Sequence, residues 1–305
     1  MVAPLPGGFT ADQLVEKAAP PYRAIHAIAD RLVPQARRAF LDAIARIQGT
    51  TAWRTISEQI AAGDWRFVGD MERTLGAELT PSLRQALERA VVQAGQVAAS
   101  RLPQSIATQL SFELTNPFAV QAVDRQVATV VQDLVGVNSQ ALLSVLRQGF
   151  TQGVAPRDMA RRMRDYVGLT EHYALAVERL RGNLLETGLA PAKVDAAASR
   201  YAERLQRLRA LTIARTETIR AANLGQQAAW QDAESKGLLD QNTARQVWIV
   251  TPDDRLCPIC EAIPDLNADG VPLGGTFQSE AGPLDGPPAH PSCRCAVGLQ
   301  FPEEL

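Results

Sequence analysis

All four cysteines of this 305-residue chain fall in one C-terminal stretch. The stretch opens with Cys257-Pro-Ile-Cys260, runs through a spacer of 29 residues and closes with His290-Pro-Ser-Cys293-Arg-Cys295. A pair of thiols two residues apart, answered by an imidazole and two more thiols, is the donor set that zinc prefers, because Zn²⁺ takes sulfur and nitrogen in a tetrahedron. Five candidate ligands stand where four are needed: Cys257, Cys260, His290, Cys293 and Cys295. Complete protein ligation leaves no position for water, so a structural metal is expected rather than a catalytic one. Residues two apart in an extended strand face the same side, so Cys293 and Cys295 can both approach the ion.

Other uses of the same residues fit less well. A disulfide pair suits short, cysteine-dense secreted domains, and the N-terminus lacks the basic and apolar regions of a signal peptide. A redox Cys-x-x-Cys needs a helix running on from the second cysteine, and Pro264 leaves little room for one. A zinc deaminase places His-x-Glu ahead of its cysteine pair; here the histidine follows, with Ser292 where glutamate should stand. The remaining histidines, His26 and His172, read as ordinary helix residues. Asp265-Leu-Asn267-Ala-Asp269-Gly270 imitates a calcium loop, but position twelve is Thr276 rather than glutamate, and an Asx-rich turn is expected.

Ahead of this segment the chain reads as helix. Alanine is abundant, aromatics make up 5% and charged residues 21%, which favours closely packed helices. A net charge of −2 supplies no global attraction to nucleic acid or anionic membrane, and no apolar run approaches the roughly 20 residues of a spanning helix. Thr10-Ala-Asp-Gln13 fits a capping box. Ile25, Ile28, Leu32, Ala36, Phe40, Ile44 and Ile47 recur at helical spacing. Thr80-Pro81 suggests a further helix start, and helices are expected at about 103–114, 118–134, 138–150 and 156–167. Gly153-Val-Ala-Pro156 and Gly188-Leu-Ala-Pro191 look like two similar helix starts.

The longest helix is expected from Pro191 to Lys236. One stripe along it, Tyr201, Leu205, Leu208, Thr212, Arg215, Ile219 and Ala222, carries an arginine on an apolar seam. Arg215 must then either snorkel to the surface or find a partner, since a lone buried charge is costly. A neighbouring stripe of small residues, Leu211, Ala214, Thr218, Ala221, Gly225 and Ala228, would let another backbone come close. Beyond Gly237 the period changes: Gln246–Val250 and Cys295–Leu299 read as strands, joined by a Pro/Gly-rich segment with no obvious core of its own. A metal gathering both ends would replace that core. The fold class expected is mainly α with a small C-terminal α+β module, a long helix leading into a zinc-stapled sheet of two or three strands. Expected domains are 1–100, 101–240 and 241–305.

Taken in order, Gly149-Phe-Thr-Gln-Gly153, Ile213-Ala-Arg215-Thr216-Glu217, Trp248, Asp254-Arg-Leu-Cys257-Pro-Ile-Cys260 and Pro287-Pro288-Ala-His290-Pro291-Ser-Cys293-Arg294-Cys295 resemble the phage Mu F-like minor head proteins, also called head morphogenesis proteins. The resemblance is sharpest over about 205–300. It implies a non-enzymatic minor component of a tailed-phage or prophage head, found in the virion and in the host cytoplasm during assembly, with the portal and other head proteins as partners. Some members carry a fused payload; only ten residues follow Cys295, so none is expected here. Arg215 and Glu217 lie about 200° apart around their helix, better suited to clamping it against two neighbours than to sharing a catalytic pocket. The alternative from another class is a zinc-stabilised nucleic-acid-binding protein that accompanies the packaged genome. Arg157, Arg161 and Arg164, on one helix face, are the candidate contacts, although short charge runs usually form a solvated face.

Overall fold

The computed structural model describes residues 21–240 and 244–301. The Thr10–Gln13 capping box lies outside them. Among the described residues eight helices come first: α1 (Pro21–Thr50), α2 (Trp53–Ala61), α3 (Arg66–Ser100), α4 (Gln104–Ala107), α5 (Pro117–Thr151), α6 (Pro156–Tyr166), α7 (Glu171–Glu186) and α8 (Pro191–Ser235). Then follow β1 (Arg245–Ile249), α9 (Pro258–Leu266), β2 (Val271–Pro272) and β3 (Ala296–Gln300). The strands form one antiparallel sheet in the order β2-β1-β3, with Trp248 opposite Val297 and Gln246 opposite both Leu299 and Val271. The protein is therefore mainly helical with a small C-terminal sheet. No described helix is long and apolar enough to cross a membrane.

Several helices differ from their expected limits, each for a tertiary reason. Pro81 opens no helix; it lies inside α3. Leu75, Leu79 and Leu83 are all buried on one face there, and the Thr80 hydroxyl donates to the Gly76 carbonyl at 2.7 Å, so packing holds the helix through a missing N–H. The expected pair at 118–134 and 138–150 is the single helix α5. Asn138, a residue that usually favours a break, is buried and donates to the carbonyls of Tyr166 and Leu169 at 3.2 and 3.4 Å. The helix expected at 103–114 stops at Ala107, because Phe112 is drawn over Gly95, whose absent Cβ would stand 2.1 Å from its ring. Helix α7 had no clear signal in its periodicity; Thr170 caps it, accepting from the Tyr173 amide at 3.2 Å. The two Gly-x-Ala-Pro segments are alike in space as in sequence. Gly153 and Gly188 both take positive φ, 66° and 76°, closing one helix before proline starts the next.

The chain divides into two compact units, each drawn from non-contiguous segments. One comprises residues 37–83 and 127–211. There α2 packs on α6, and a buried ionic network joins Glu178 to Arg162 at 2.9 Å and to the Tyr166 hydroxyl, while Arg181 pairs with Asp195. Arg209 is also buried in this unit, donating to the Gly168 carbonyl at 2.6 Å over the face of Phe40. The other unit comprises residues 1–36, 84–126 and 212–305. Its helices meet at alanines: Ala36, Ala86 and Ala214 are all buried in one cluster with Val33 against it. Small side chains allow this approach, and at one point only glycine will do. A Cβ on Gly225 would lie 2.1 Å from the Val91 carbonyl oxygen. Gly225→Ala should therefore force the two helices apart and lower stability by about 1–3 kcal/mol, read as a lower urea midpoint with an unchanged m-value.

Candidate metal centre

Two turns of local structure bring the first cysteine pair into position. Cys257 is the N-cap of α9, with Pro258 in the first turn, and its sulfur accepts from the Cys260 amide at 3.4 Å. A nine-residue helix does run on from this pair, with Pro264 accommodated in its interior, so the expectation that proline would exclude a helix is corrected. Asn267 caps the far end, its amide exchanging hydrogen bonds with Gln278 at 2.9 and 3.0 Å. The calcium-like segment is thus a turn stitched by Asn267. Gly270 completes it at φ 65°, where a Cβ would meet Arg245 and Gln246.

The second ligand group enters on the loop into β3. Ser292, at φ 64°, turns the chain between His290 and Cys293, and its amide donates to Thr216 of α8 at 2.9 Å. Two residues on, Arg294 is fixed by its carbonyl, which accepts from Thr251 at 2.5 Å and stands 2.9 Å from His26 Nε2. Its guanidinium pairs with Asp253. The outer edge of β3 would expose unpaired backbone groups. Asn223 of α8 accepts from the Val297 amide at 2.8 Å, and Gln226 donates to the Val297 carbonyl at 3.0 Å. Gln227 donates to Gln246 and to the Asp285 carbonyl at 2.8 and 2.7 Å. One helix face thus fastens the ligand loop, the sheet edge and the preceding turn.

The five candidate donors converge. Cys257 and Cys260 sulfurs lie 3.1 and 3.3 Å from His290 Nε2, and Cys260 lies 3.6 Å from the Cys293 sulfur. Cys257, Cys260 and His290 form one close triad and Cys260, Cys293 and Cys295 another, with Cys260 common to both. A tetrahedral cation with metal–sulfur bonds of about 2.3 Å sets its donors about 3.5–3.8 Å apart, close to these separations. All four cysteines are unpaired by disulfides. His290 offers Nε2 to the sulfurs while Nδ1 faces the Pro291 carbonyl at 3.0 Å, the outer-shell contact that orients a ligating imidazole.

Electrostatics favours the charged form at Cys257 and Cys293 and opposes it at Cys260 and Cys295. Burial pushes the Cys257 thiol up, but the Cys260 amide and His290 outweigh it and hold the thiol below its ordinary value. Hydrogen bonds from Cys260 and Cys295 hold the Cys293 thiol well down. Cys260, sharing that hydrogen bond, is pushed up. A cluster of buried sulfurs cannot shed all its protons without a counter-charge, and a divalent cation supplies one.

Residues 212–305 also contain more apolar packing than their composition suggests. Trp248 stacks edge-on against the fully buried Phe277 at 5.4 Å, with Ile263 and Val297 also buried. The Pro/Gly-rich segment therefore has a small core, contrary to expectation, because Phe277 and Leu284 pair across a bridge that turns the phenyl ring inward.

Arg215 and Glu217 do different things. Glu217 has its carbonyl and carboxylate within reach of Gln126 Nε2, at 2.9 and 3.3 Å, and pairs with Arg220 at 3.3 Å. Arg215 is exposed, and its guanidinium makes no ion pair or hydrogen bond with a described residue. It therefore needs no buried partner. Of the three candidate contact arginines on α6, Arg161 is held by Asp158 and Asp195 at 3.1 and 2.7 Å, while Arg157 and Arg164 are exposed.

The family model for phage Mu protein F like proteins matches residues 140–298, more than half of the chain. The protein belongs to that family. No curated protein and no solved structure matches it. The matched span of this Mu F-like chain includes α8 and all five donors. His26 stands outside that span, and helical periodicity marked it only as an ordinary helix residue. Asn223, Gln226 and Gln227 carried a readable signal: three amides at i, i+3 and i+4 in an alanine-rich helix that precedes a strand. Asn223→Ala leaves the Val297 amide buried and unsatisfied, and should cost about 1–3 kcal/mol, measured by chemical denaturation.

Proposed function

We propose that this phage head morphogenesis protein is a non-enzymatic minor component of a tailed-phage head, acting near the portal during assembly. The portal and other head proteins would be its partners, and its metal centre would hold zinc as a structural ion. Cys257, Cys260 and His290, with Cys293 or Cys295, would be the ligands. The observation that carries the metal reading is the convergence of one imidazole and four unpaired thiols, two of them carried by a helix start and two by a strand entry. The chemistry supplied by zinc is cross-linking. It would tie the start of α9 to the loop before β3, fixing the face of the C-terminal module that other head components would meet. Glu217 fits the role of a clamp on α8, through Gln126 and Arg220.

Protein purified without chelator should contain one equivalent of zinc, with metal–sulfur distances of about 2.3 Å by X-ray absorption. Less than half an equivalent counts against the site. Structural zinc contributes roughly 10–16 kcal/mol of apparent binding energy in small modules. Cys257→Ser should therefore leave helical circular dichroism near native and make the segment from 246 to 300 sensitive to protease. Unchanged C-terminal resistance would refute the structural role.

The assembly role is tested by complementation of a phage lacking this gene. A chain without residues 241–305 should yield few infectious particles, and particle yield equal to the intact chain overturns the proposal. For the nucleic-acid alternative, the exposed Arg157 and Arg164 give the only motif-based support. A DNA mobility shift that weakens steeply with salt would favour it.

A further inference from the structure

The five candidate donors line one end of a cavity of about 590 Å³ that lies within the same compact unit. Its volume is in the range of specific ligand pockets. Its lining combines three arginines, Arg215, Arg255 and Arg294, with apolar Ala29, Val33 and Ile219; Ile219 follows Arg215 by one turn of α8, so a charge and an apolar side chain stand side by side. The charges are not evenly matched. Asp253 already serves two arginines, pairing with Arg294 and lying 3.7 Å from Arg255. Arg215 has neither an ion pair nor a hydrogen bond with a described residue. The loop that borders the cavity is anchored to the residue after it, since Ser292 donates to Thr216, so the backbone of Arg215 keeps its place at the cavity.

We infer that this cavity binds a short peptide segment of a partner protein, taking a carboxylate on Arg215 and a neighbouring apolar side chain against Val33 and Ile219. Arginine presents a planar fork that matches a carboxylate in two parallel hydrogen bonds. The apolar lining residues reward a ligand with a greasy side chain beside its charge, which a peptide offers and a phosphodiester backbone does not. Asp30 and Asp253 in the same lining repel a continuous row of phosphates but tolerate a single carboxylate. The metal adds no attraction for anions, because three thiolates outweigh the charge of a divalent ion; recognition rests on the guanidiniums. That the partner is a head protein rests on the function proposed above, whereas the ligand chemistry does not.

The test uses the full chain, purified without chelator, and fluorescence polarisation of a labelled peptide of alternating leucine and glutamate. Saturable binding is expected. Replacing glutamate with glutamine in the peptide, or Arg215→Gln in the protein, should weaken it about tenfold or more, the worth of a hydrogen-bonded charge. Arg215→Lys should fall between, keeping charge but not the fork. Arg157→Gln, on a different helix, should bind as the unmodified chain does. Because Arg215 is exposed, its variants should keep native circular dichroism; a variant that loses it overturns the placement of Arg215 as a free recognition group. Absence of saturable binding, equal affinity of Arg215→Gln, or tighter binding of a single-stranded oligonucleotide of equal charge would overturn the inference. Complementation by the truncated chain is independent of these outcomes, so failure here is distinguishable from failure of the assembly role.

Discussion

Two short segments about thirty residues apart must bring five donors to one point, and neither can do so alone. Cys257 and Cys260 are positioned locally, by a helix cap. Cys293 and Cys295 are not. They sit on a loop and a strand entry whose backbone has to be held from outside, and α8 does the holding. Thr216 takes the amide of Ser292, Asn223 and Gln226 take both polar groups of Val297, and Gln227 reaches the turn at Asp285. A strand edge that would otherwise invite pairing with another chain is thereby closed by side-chain amides. The cysteine-histidine cluster depends on this helix as much as on its own residues.

That dependence explains the composition of α8. A helix that serves as a backbone-binding surface has to come very close to what it binds, which favours alanine, and Gly225 marks the closest approach, against Val91. It also has to carry hydrogen-bonding groups on the same face, which is why amides are buried there at almost no exposure. Amides suit this position better than charges, since each can donate and accept without the desolvation cost of an ion. The membership of this chain in the Mu F-like family, matched across α8 and the donors together, gives the helix and the cysteine cluster a shared context in head morphogenesis.

The helical character, the change of period after Gly237, the two long strands and the convergence of donors were all readable from spacing. They depend on neighbours in sequence: a 3.6-residue repeat, an alternation, a Cys-x-x-Cys. The misjudged elements share the opposite property. Pro81 and Asn138 look like interruptions locally and are carried through because a leucine face and two distant carbonyls compensate. Phe112 ends a helical pattern for the sake of a ring over Gly95. Pro264 was weighed by its local penalty, although α9 continues through it.

Sequence by itself determined that cysteines and a histidine suited to a metal gather in one C-terminal stretch and that a long alanine-rich helix precedes it, because donor type and periodicity are properties of the chain. Tertiary structure alone decided what surrounds that cluster. His26, more than 260 residues upstream, is brought to the Arg294 carbonyl, and Arg215 is turned to an open cavity instead of a sealed seam. Which of two faces of a helix is buried depends on the size of the side chains it meets. Alanine and glycine drew a partner backbone onto one stripe of α8, while in the arginine stripe Leu205, Ile219 and Ala222 are buried and Leu208 and Arg215 are left to solvent.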